Sequence, residues 1–520
     1  MATIGARATL SLACVFLLAL TLSTPVQAQQ QDTLRTNVPS ASPAAADTAA
    51  IQERIAVHVE QGLSSKWHSV RDSLFYTKYN KYGDLKDDNP AFNPKQPWWV
   101  VGLKITFANS ATTGVDHYVL RYDYARVGVR SWKDNFAKGW EWDVDRFGMN
   151  FLLHPYSGAG YYNSALSSGY SFYESIPFAV AGSLMYEYLG ETTRPSINDF
   201  VNTPVSGAFF GAILYRLSSN ILDDRTTGSG RFFRELAAAA VDPTRALGRL
   251  TSGQTFRHTS QEIYQKEPLN ATLSSGMRRL NVGSRFGTGR FSATLNLDVD
   301  YGNPFEIRSR KPYDYFKMRA DVNVGVGRKL LDNVTGLGIL VGNNVKYGPL
   351  ELLVGLFQHY DYWDNKTFEL GTIAFGPGVV SKMPLILNST LYTSLHVGVV
   401  PLAGNSTMYG PDTSQFRDYN YGGGLGGKAE TTLELGQWAS ATFVGYYFWI
   451  HTYIGHKGDH YMAIIRPRAE FRVINNLRLG FEQLAYYSDR YPSDFHAIHF
   501  VQTEQRVYLK LYFDQFKRKE

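Results

Sequence analysis

The densest set of residues able to do chemistry lies between Trp140 and Asn163. It runs Trp140-Glu141-Trp142-Asp143-Val144-Asp145, then Asn150, His154-Pro155-Tyr156-Ser157-Gly158 and Tyr161-Tyr162-Asn163. An imidazole titrates near neutral pH, so a carboxylate from Asp143, Asp145 or Glu187 could orient His154 as a general base. Ser157, Ser171, Ser175 or Ser183 would then supply a nucleophile, which is the chemistry of a lipid or acyl hydrolase. The competing reading is structural: His154 caps a helix end and the carboxylates pair with Arg146 or Arg194. No Gly-x-Ser-x-Gly elbow accompanies these residues. The proline after His154 predicts an extended or turn backbone there.

Other chemistries fall away on spacing. Asp143-x-Asp145 followed by Asn150 lacks the third oxygen ligand, the glycine and the closing glutamate of a calcium loop. His451, His456 and His460 with Asp459 read as a strand end and loop rather than a metal face. Gly422 to Gly427 has no following Lys-Ser/Thr and no helix start, so it is no phosphate loop. Cys14 is the only cysteine, which leaves no thiolate site or disulfide framework in the exported chain. No metal and no cofactor are expected. With 52 Lys+Arg against 46 Asp+Glu and no basic run, nucleic acid is not an expected partner.

The segment from Trp132 to Leu250 resembles a bacterial envelope family, the domain of unknown function 3943. The likeness rests on Trp142, Asn150, the His154-Pro155-x-x-Gly158 turn, Tyr162-Asn163, Glu187-Tyr188, Pro195-Ser196-Ile197 and Thr203-Pro204. It implies an envelope location and brings no activity with it.

The flanking sequence must position these residues. Residues 1–28 have a basic start at Arg7, an apolar run and a Val26-Gln27-Ala28 cleavage site, the parts of a secretory signal. Residues 29–50 are a Pro/Ala/Ser-rich tether. Over 51–130 the expectation is an amphipathic helix through Ile51, Ile55, Val59, Leu63 and Trp67, then two strands, Trp98 to Phe107 and Tyr118 to Val129. Residues 131–253 read as a small helical domain, with Ser196 and Asp199 opening one helix and Gly207, Ala208, Gly211 and Ala212 allowing close packing. Its helices are too interrupted to span a bilayer, so they are expected to pack on each other, inside the barrel mouth or beneath it.

Residues 254–516 carry the strongest pattern. In Phe291, Ala293, Leu295, Leu297 and Val299 every second residue is apolar, while Ser292, Thr294, Asn296, Asp298 and Asp300 between them are polar. Repeated over about twelve segments, this predicts a mainly β chain: a transmembrane antiparallel β-barrel of about 12 strands, or 14 if the early pair joins, with an inserted or preceding small α-helical domain. Its wet face would line a lumen with Asp298, Arg319, Asp321, Arg466, Arg468, Arg472, Glu482 and Arg506. The setting would be the bacterial outer membrane, reached through the periplasm, with membrane lipids and the barrel-assembly machinery as partners. The Lys-Arg-rich tail after Phe516 departs from the usual aromatic ending, so Phe513 or Phe516 would serve as that signal from inside. The expected role is a narrow or plugged pore or an envelope-organising protein, with the hydrolase as the alternative. Any small-molecule or lipid substrate stays unnamed.

Overall fold

A computed structural model describes residues 88–324, 330–365, 367, 369–406, 419–494 and 496–514. The signal, the tether, the amphipathic stretch from Ile51 and the tail at Phe516 lie outside these residues.

Twelve antiparallel strands close into one barrel in simple sequence order, with β1 (Leu269–Val282) hydrogen-bonded to β12 (Ile498–Asp514). Between them run β2 (Arg285–Tyr301), β3 (Phe316–Val324), β4 (Leu331–Tyr347), β5 (Leu350–Asp364), β6 (Glu369–Pro384), β7 (Ser389–Ser406), β8 (Tyr419–Leu435), β9 (Ala439–Ile454), β10 (Gly458–Ile474) and β11 (Leu477–Pro492). Closure leaves no unpaired edge, which a lipid environment demands of any sheet. Most strands exceed the roughly 9–11 residues that a tilted strand needs to cross a bilayer. Both ends of the barrel sequence and the tight turns after Tyr347, Leu435 and Ile474 share one rim.

The preceding segment is mainly helical. It comprises α1 (Trp98–Gly114), α2 (Val129–Lys138), α3 (His154–Leu166), α4 (Phe172–Met185), α5 (Ile197–Ile221), α6 (Gly228–Val241) and α7 (Pro243–Thr251). The two strands expected over Trp98 to Phe107 and Tyr118 to Val129 are absent, and α1 occupies the first. Val101, Ile105 and Asn109 form its buried stripe at four-residue spacing, while Trp99, Leu103 and Phe107 form an exposed one. A helix apolar on two sides loses the amphipathic signature and reads as an ambiguous run. The other correction concerns His154, which lies in helical backbone (φ −59°, ψ −46°) although proline follows it. Its N–H reaches back five residues to the Met149 carbonyl, closing a π-helical turn over Met149–Leu153 that runs directly into α3.

The helices pack neither in the barrel mouth nor beneath it: they form a layer on the barrel's outer wall. The face each strand residue takes follows from its partners. Asp321 on β3 meets Arg506 on β12, and Asp361 on β5 meets Lys428 on β8, so these residues point inward across the lumen. Their sequence neighbours point outward, and it is the outward set that touches the helices. Phe209 of α5 stacks on Tyr360, whose strand partner Gly336 leaves room for the same ring. Phe151 sits in a notch between Gly371 and Gly404, where an added Cβ would come within 2.3 Å of the ring at either position. Tyr360 donates its hydroxyl to the Phe151 carbonyl. One core therefore joins Phe147, Phe151, Phe209 and Ile213 of the layer with outward residues Val299, Met318, Tyr362 and Tyr421 of the wall.

The buried outward positions shift from Ala271 and Val299 at one rim to Leu402 and Tyr421 near the other. They follow the hydrogen-bonding direction across β1 to β8, which spirals around a barrel of tilted strands. Strands β9 to β12 keep bare apolar outer residues, among them Phe443, Tyr447, Phe471, Phe481 and Leu509.

Candidate functional site

Charge gathers in the lumen and in a crevice of the helical layer, the two places that hold the residues singled out by sequence. In the lumen Arg466 pairs with Glu482 at 3.0 Å and with Asp321 at 3.6 Å. Arg506 meets Asp321 at 2.9 Å, Glu504 at 2.5 Å and Glu482 at 3.5 Å. Arg278 adds Asp332 and Glu504, each at 3.2 Å. A neighbouring group joins Asp298 to Arg319 at 2.6 Å, to Arg468 at 3.6 Å and to Lys510 at 3.7 Å. Arg472 keeps the inward parity but binds Gln437 and Asn475 at the turns of the tight-turn rim. The side chains of Asp321, Arg466, Glu482, Glu504 and Arg506 are at most 4% exposed. Charges from β1, β3, β4, β10, β11 and β12 thus pair with one another across the interior.

The crevice assembles the carboxylates and the imidazole. Asp143 and Asp145 lie on an extended run whose neighbour Glu141 makes a parallel bridge to Ser196, with its N–H on the Pro195 carbonyl and its own carbonyl accepting from Ile197. Ser196 then caps α5, its Oγ accepting from the Asp199 N–H at 3.3 Å and donating to Asn198 Oδ1 at 2.9 Å. Asn198 Oδ1 also accepts the Asp143 N–H, so one helix start fixes the acidic run. From the other side, His154 arrives on its π turn. One ligating atom each from Asp143, Asp145 and His154 lie within 4.8 Å of one another. Behind them, Asp199 Oδ1 stands 4.0 Å from His154 Nε2. Glu187, on a second π turn over Tyr186–Gly190, is buried and accepts the Ser196 N–H at 2.7 Å.

The barrel wall braces this crevice. Tyr419 donates its hydroxyl to the Asp145 carbonyl at 2.9 Å. Asn150 donates to the hydroxyls of Tyr419 at 2.5 Å and Tyr421 at 2.9 Å, and Asn202 of α5 donates to the Asn150 carbonyl. Trp142 packs on Tyr421 with ring centres 4.9 Å apart.

Crowded carboxylates titrate high. Loss of water raises Asp199 to about 6, with Asp143 adding to the rise and His154 opposing it. Burial, then Glu191 and Asp199, hold Glu187 well above the usual carboxylate range.

The remaining family-motif residues pack the helices that hold the crevice. Gly158 crosses α5 so closely that an added Cβ would lie 1.9 Å from the Thr203 carbonyl oxygen. Tyr162 is fully buried, and Asn163 donates to Asp242 at 2.8 Å. Pro155 occupies the first turn of α3, where its missing N–H costs little. Of the candidate serines, Ser171 caps α4, while Ser175 and Ser183 give their hydroxyls to the carbonyls of Ser171 and Asp199. Ser157 stands one turn beyond His154 on α3.

Sequence reading missed the part played by Asp199, which it took only as a cap-box residue, and the clamp of Tyr419 and Tyr421. Asp199 carried a signal, since a carboxylate beside a cap can face a neighbouring imidazole. The tyrosines carried none, because they are hundreds of residues away in sequence.

None of the curated proteins is similar to this chain in sequence. Among solved structures, the NanC porin shares 10% identity over 46% of this chain and 98% of its own, with a TM-score of 0.27. An outer membrane channel from Pseudomonas putida F1 shares 7% over 48% and 96%, with a TM-score of 0.28. The outer membrane channel DcaP of Acinetobacter baumannii shares 8% over 47% and 96%, with a TM-score of 0.22. Residues 139–244 match the family described as Domain of unknown function (DUF3943), inside the span of the expected resemblance. The acidic crevice and its supporting helix α5 therefore lie within the stretch that matches this family, set against the outer wall of a closed twelve-stranded barrel.

Proposed function

We propose that this protein is an outer-membrane barrel that does not conduct, and that it serves to hold the helical layer at the lipid side of its wall. The observation that carries this reading is the lumen, where Asp321, Arg466, Glu482, Glu504 and Arg506 pair across the interior with almost no exposure. Such groups lose their partners if the bore opens, and unpaired charges in a confined interior are costly. The helical layer supports the same reading. Trp99, Leu103 and Phe107 stripe the outer side of α1, and Phe232, Phe233 and Leu236 project from α6. Lipid chains would cover them as they cover the bare outer residues of β9 to β12. An envelope-organising role follows: the barrel is the anchor and the layer is the working part. Purified protein in planar bilayers should give no stepwise conductance. Stepwise currents whose ion selectivity changes in the Arg468→Glu, Arg472→Glu variant would refute it.

A second reading, a lipid or acyl hydrolase, is favoured by the meeting of His154 with Asp199, Asp143 and Asp145. His154 would act as the base toward Ser157 or toward water, with the nearby Asp199 carboxylate favouring the imidazolium that forms. Membranes containing the protein would then show altered lipid products that vanish in His154→Ala while the barrel stays folded.

A further inference from the structure

We propose that Asp143, Asp145 and His154 form a binding site for one divalent cation of the Zn²⁺ or Mn²⁺ class, with Asp199 as its buried flank. The three side chains offer two carboxylate oxygens and one imidazole nitrogen within 4.8 Å of one another. Around an ion with bonds of about 2.0–2.4 Å, ligand atoms stand from about 3 Å to nearly 5 Å apart, so the existing separations need only small side-chain rotations to converge. The donors come from two separate segments, an extended run and a π turn, brought together by tertiary structure.

Asp199 supplies the independent observation. Its side chain is 2% exposed, and its Oδ1 has no hydrogen-bond donor. That oxygen faces His154 Nε2 at 4.0 Å, too far for a hydrogen bond and a suitable span for two ligands of one ion. A buried carboxylate oxygen left without a donor is costly unless a cation or proton meets it. The charge around it points the same way: Asp143, Asp145, Glu187, Glu191 and Asp199 act on one another, while the nearby cations acting on Asp145 and Asp199 are Arg146 and His154.

Asp145 is exposed and Asp143 and His154 are half-buried, so an ion can reach them without unfolding the layer. The frame is held from behind by Asn198 on the Asp143 N–H and by Tyr419 on the Asp145 carbonyl, as a preorganised metal site requires. One nitrogen with carboxylate oxygens suits Zn²⁺ or Mn²⁺ better than an all-oxygen calcium site. The site stands whether or not the protein hydrolyses anything.

The test uses the full chain in detergent, stripped with EDTA and titrated calorimetrically at pH 7.5 with Zn²⁺, Mn²⁺ or Ca²⁺, with bound metal counted by mass spectrometry. About one equivalent of Zn²⁺ or Mn²⁺ should bind, at least tenfold more weakly in both H154Q and D145N. E141Q, on the same run but paired with Arg194, should bind as wild type. Circular dichroism and heat-modifiable gel mobility verify folding; if H154Q does not fold, the exposed D145N decides. Absence of stoichiometric binding, tighter binding of Ca²⁺ than of either other ion, or undiminished binding in D145N would each overturn the proposal.

Discussion

Replacing Phe151 by alanine tests whether the helical layer is truly fastened to the outside of the barrel. The ring is 1% exposed, stacks on Phe147 with centres 5.1 Å apart, and fills the notch left by Gly371 and Gly404. Burying a phenylalanine side chain removes on the order of 150–200 Å² from water, worth about 4–5 kcal/mol at about 25 cal/mol per Å². The glycines opposite have no side chains to collapse into the space, so the cavity stays open and the loss should fall at about 3–5 kcal/mol. The bond from Tyr360 to the Phe151 carbonyl is backbone-directed and survives the change. The loss should therefore land on the seam and not on the strand ladders. In lipid vesicles, F151A should keep the heat-modifiable gel shift of a folded barrel. Protease should cut it near residues 257–268, between layer and barrel, at least tenfold faster than wild type. Unchanged cutting together with a loss of stability below about 1 kcal/mol would refute the outer-wall packing.

Two other outcomes follow from buried charge. Arg506→Ala removes the cation shared by Asp321, Glu482 and Glu504, so urea unfolding in vesicles should show a loss of about 3–5 kcal/mol, which Arg506→Lys partly restores. Asp242, which caps α7 and accepts from Asn163, is raised by burial from 3.8 to about 6. The native state therefore holds this proton more tightly than the unfolded chain, and the ionised form carries its full penalty above pH 6. Stability should increase as pH falls from about 7 toward 4, by up to about 3 kcal/mol from this group, and thermal unfolding of Asp242→Asn should lose that part of the slope.

Much of the barrel was legible because its constraint is local and repeats. A strand in lipid must alternate, so Phe291 to Val299 and their polar neighbours declare the two faces without reference to any other strand. The inward parity of Asp298, Asp321, Arg466 and Arg506 follows from the same count. Which charges meet across the lumen does not, since Asp321 and Arg506 lie 185 residues apart in sequence. The crevice was legible as composition: His154, Asp143, Asp145 and Glu187 stand out by type. Their convergence depends on the π turns at Met149–Leu153 and Tyr186–Gly190, and inserted residues of this kind leave no clear mark in periodicity.

What the sequence by itself determined is the barrel and the chemical character of its two faces, because a two-residue period leaves each side chain one choice of side. Tertiary structure alone decided which part of the apolar face the helical layer covers. Outward glycines at 336, 371 and 404 and outward tyrosines at 360, 362, 419 and 421 satisfy the alternation as well as any lipid-facing residue would. Their meaning comes from shape. Phe151 and Phe209 fit the hollows those glycines leave, and the tyrosine hydroxyls find the carbonyls of Phe151 and Asp145. Complementarity of that kind belongs to two surfaces at once, and a single stretch of sequence describes only one of them.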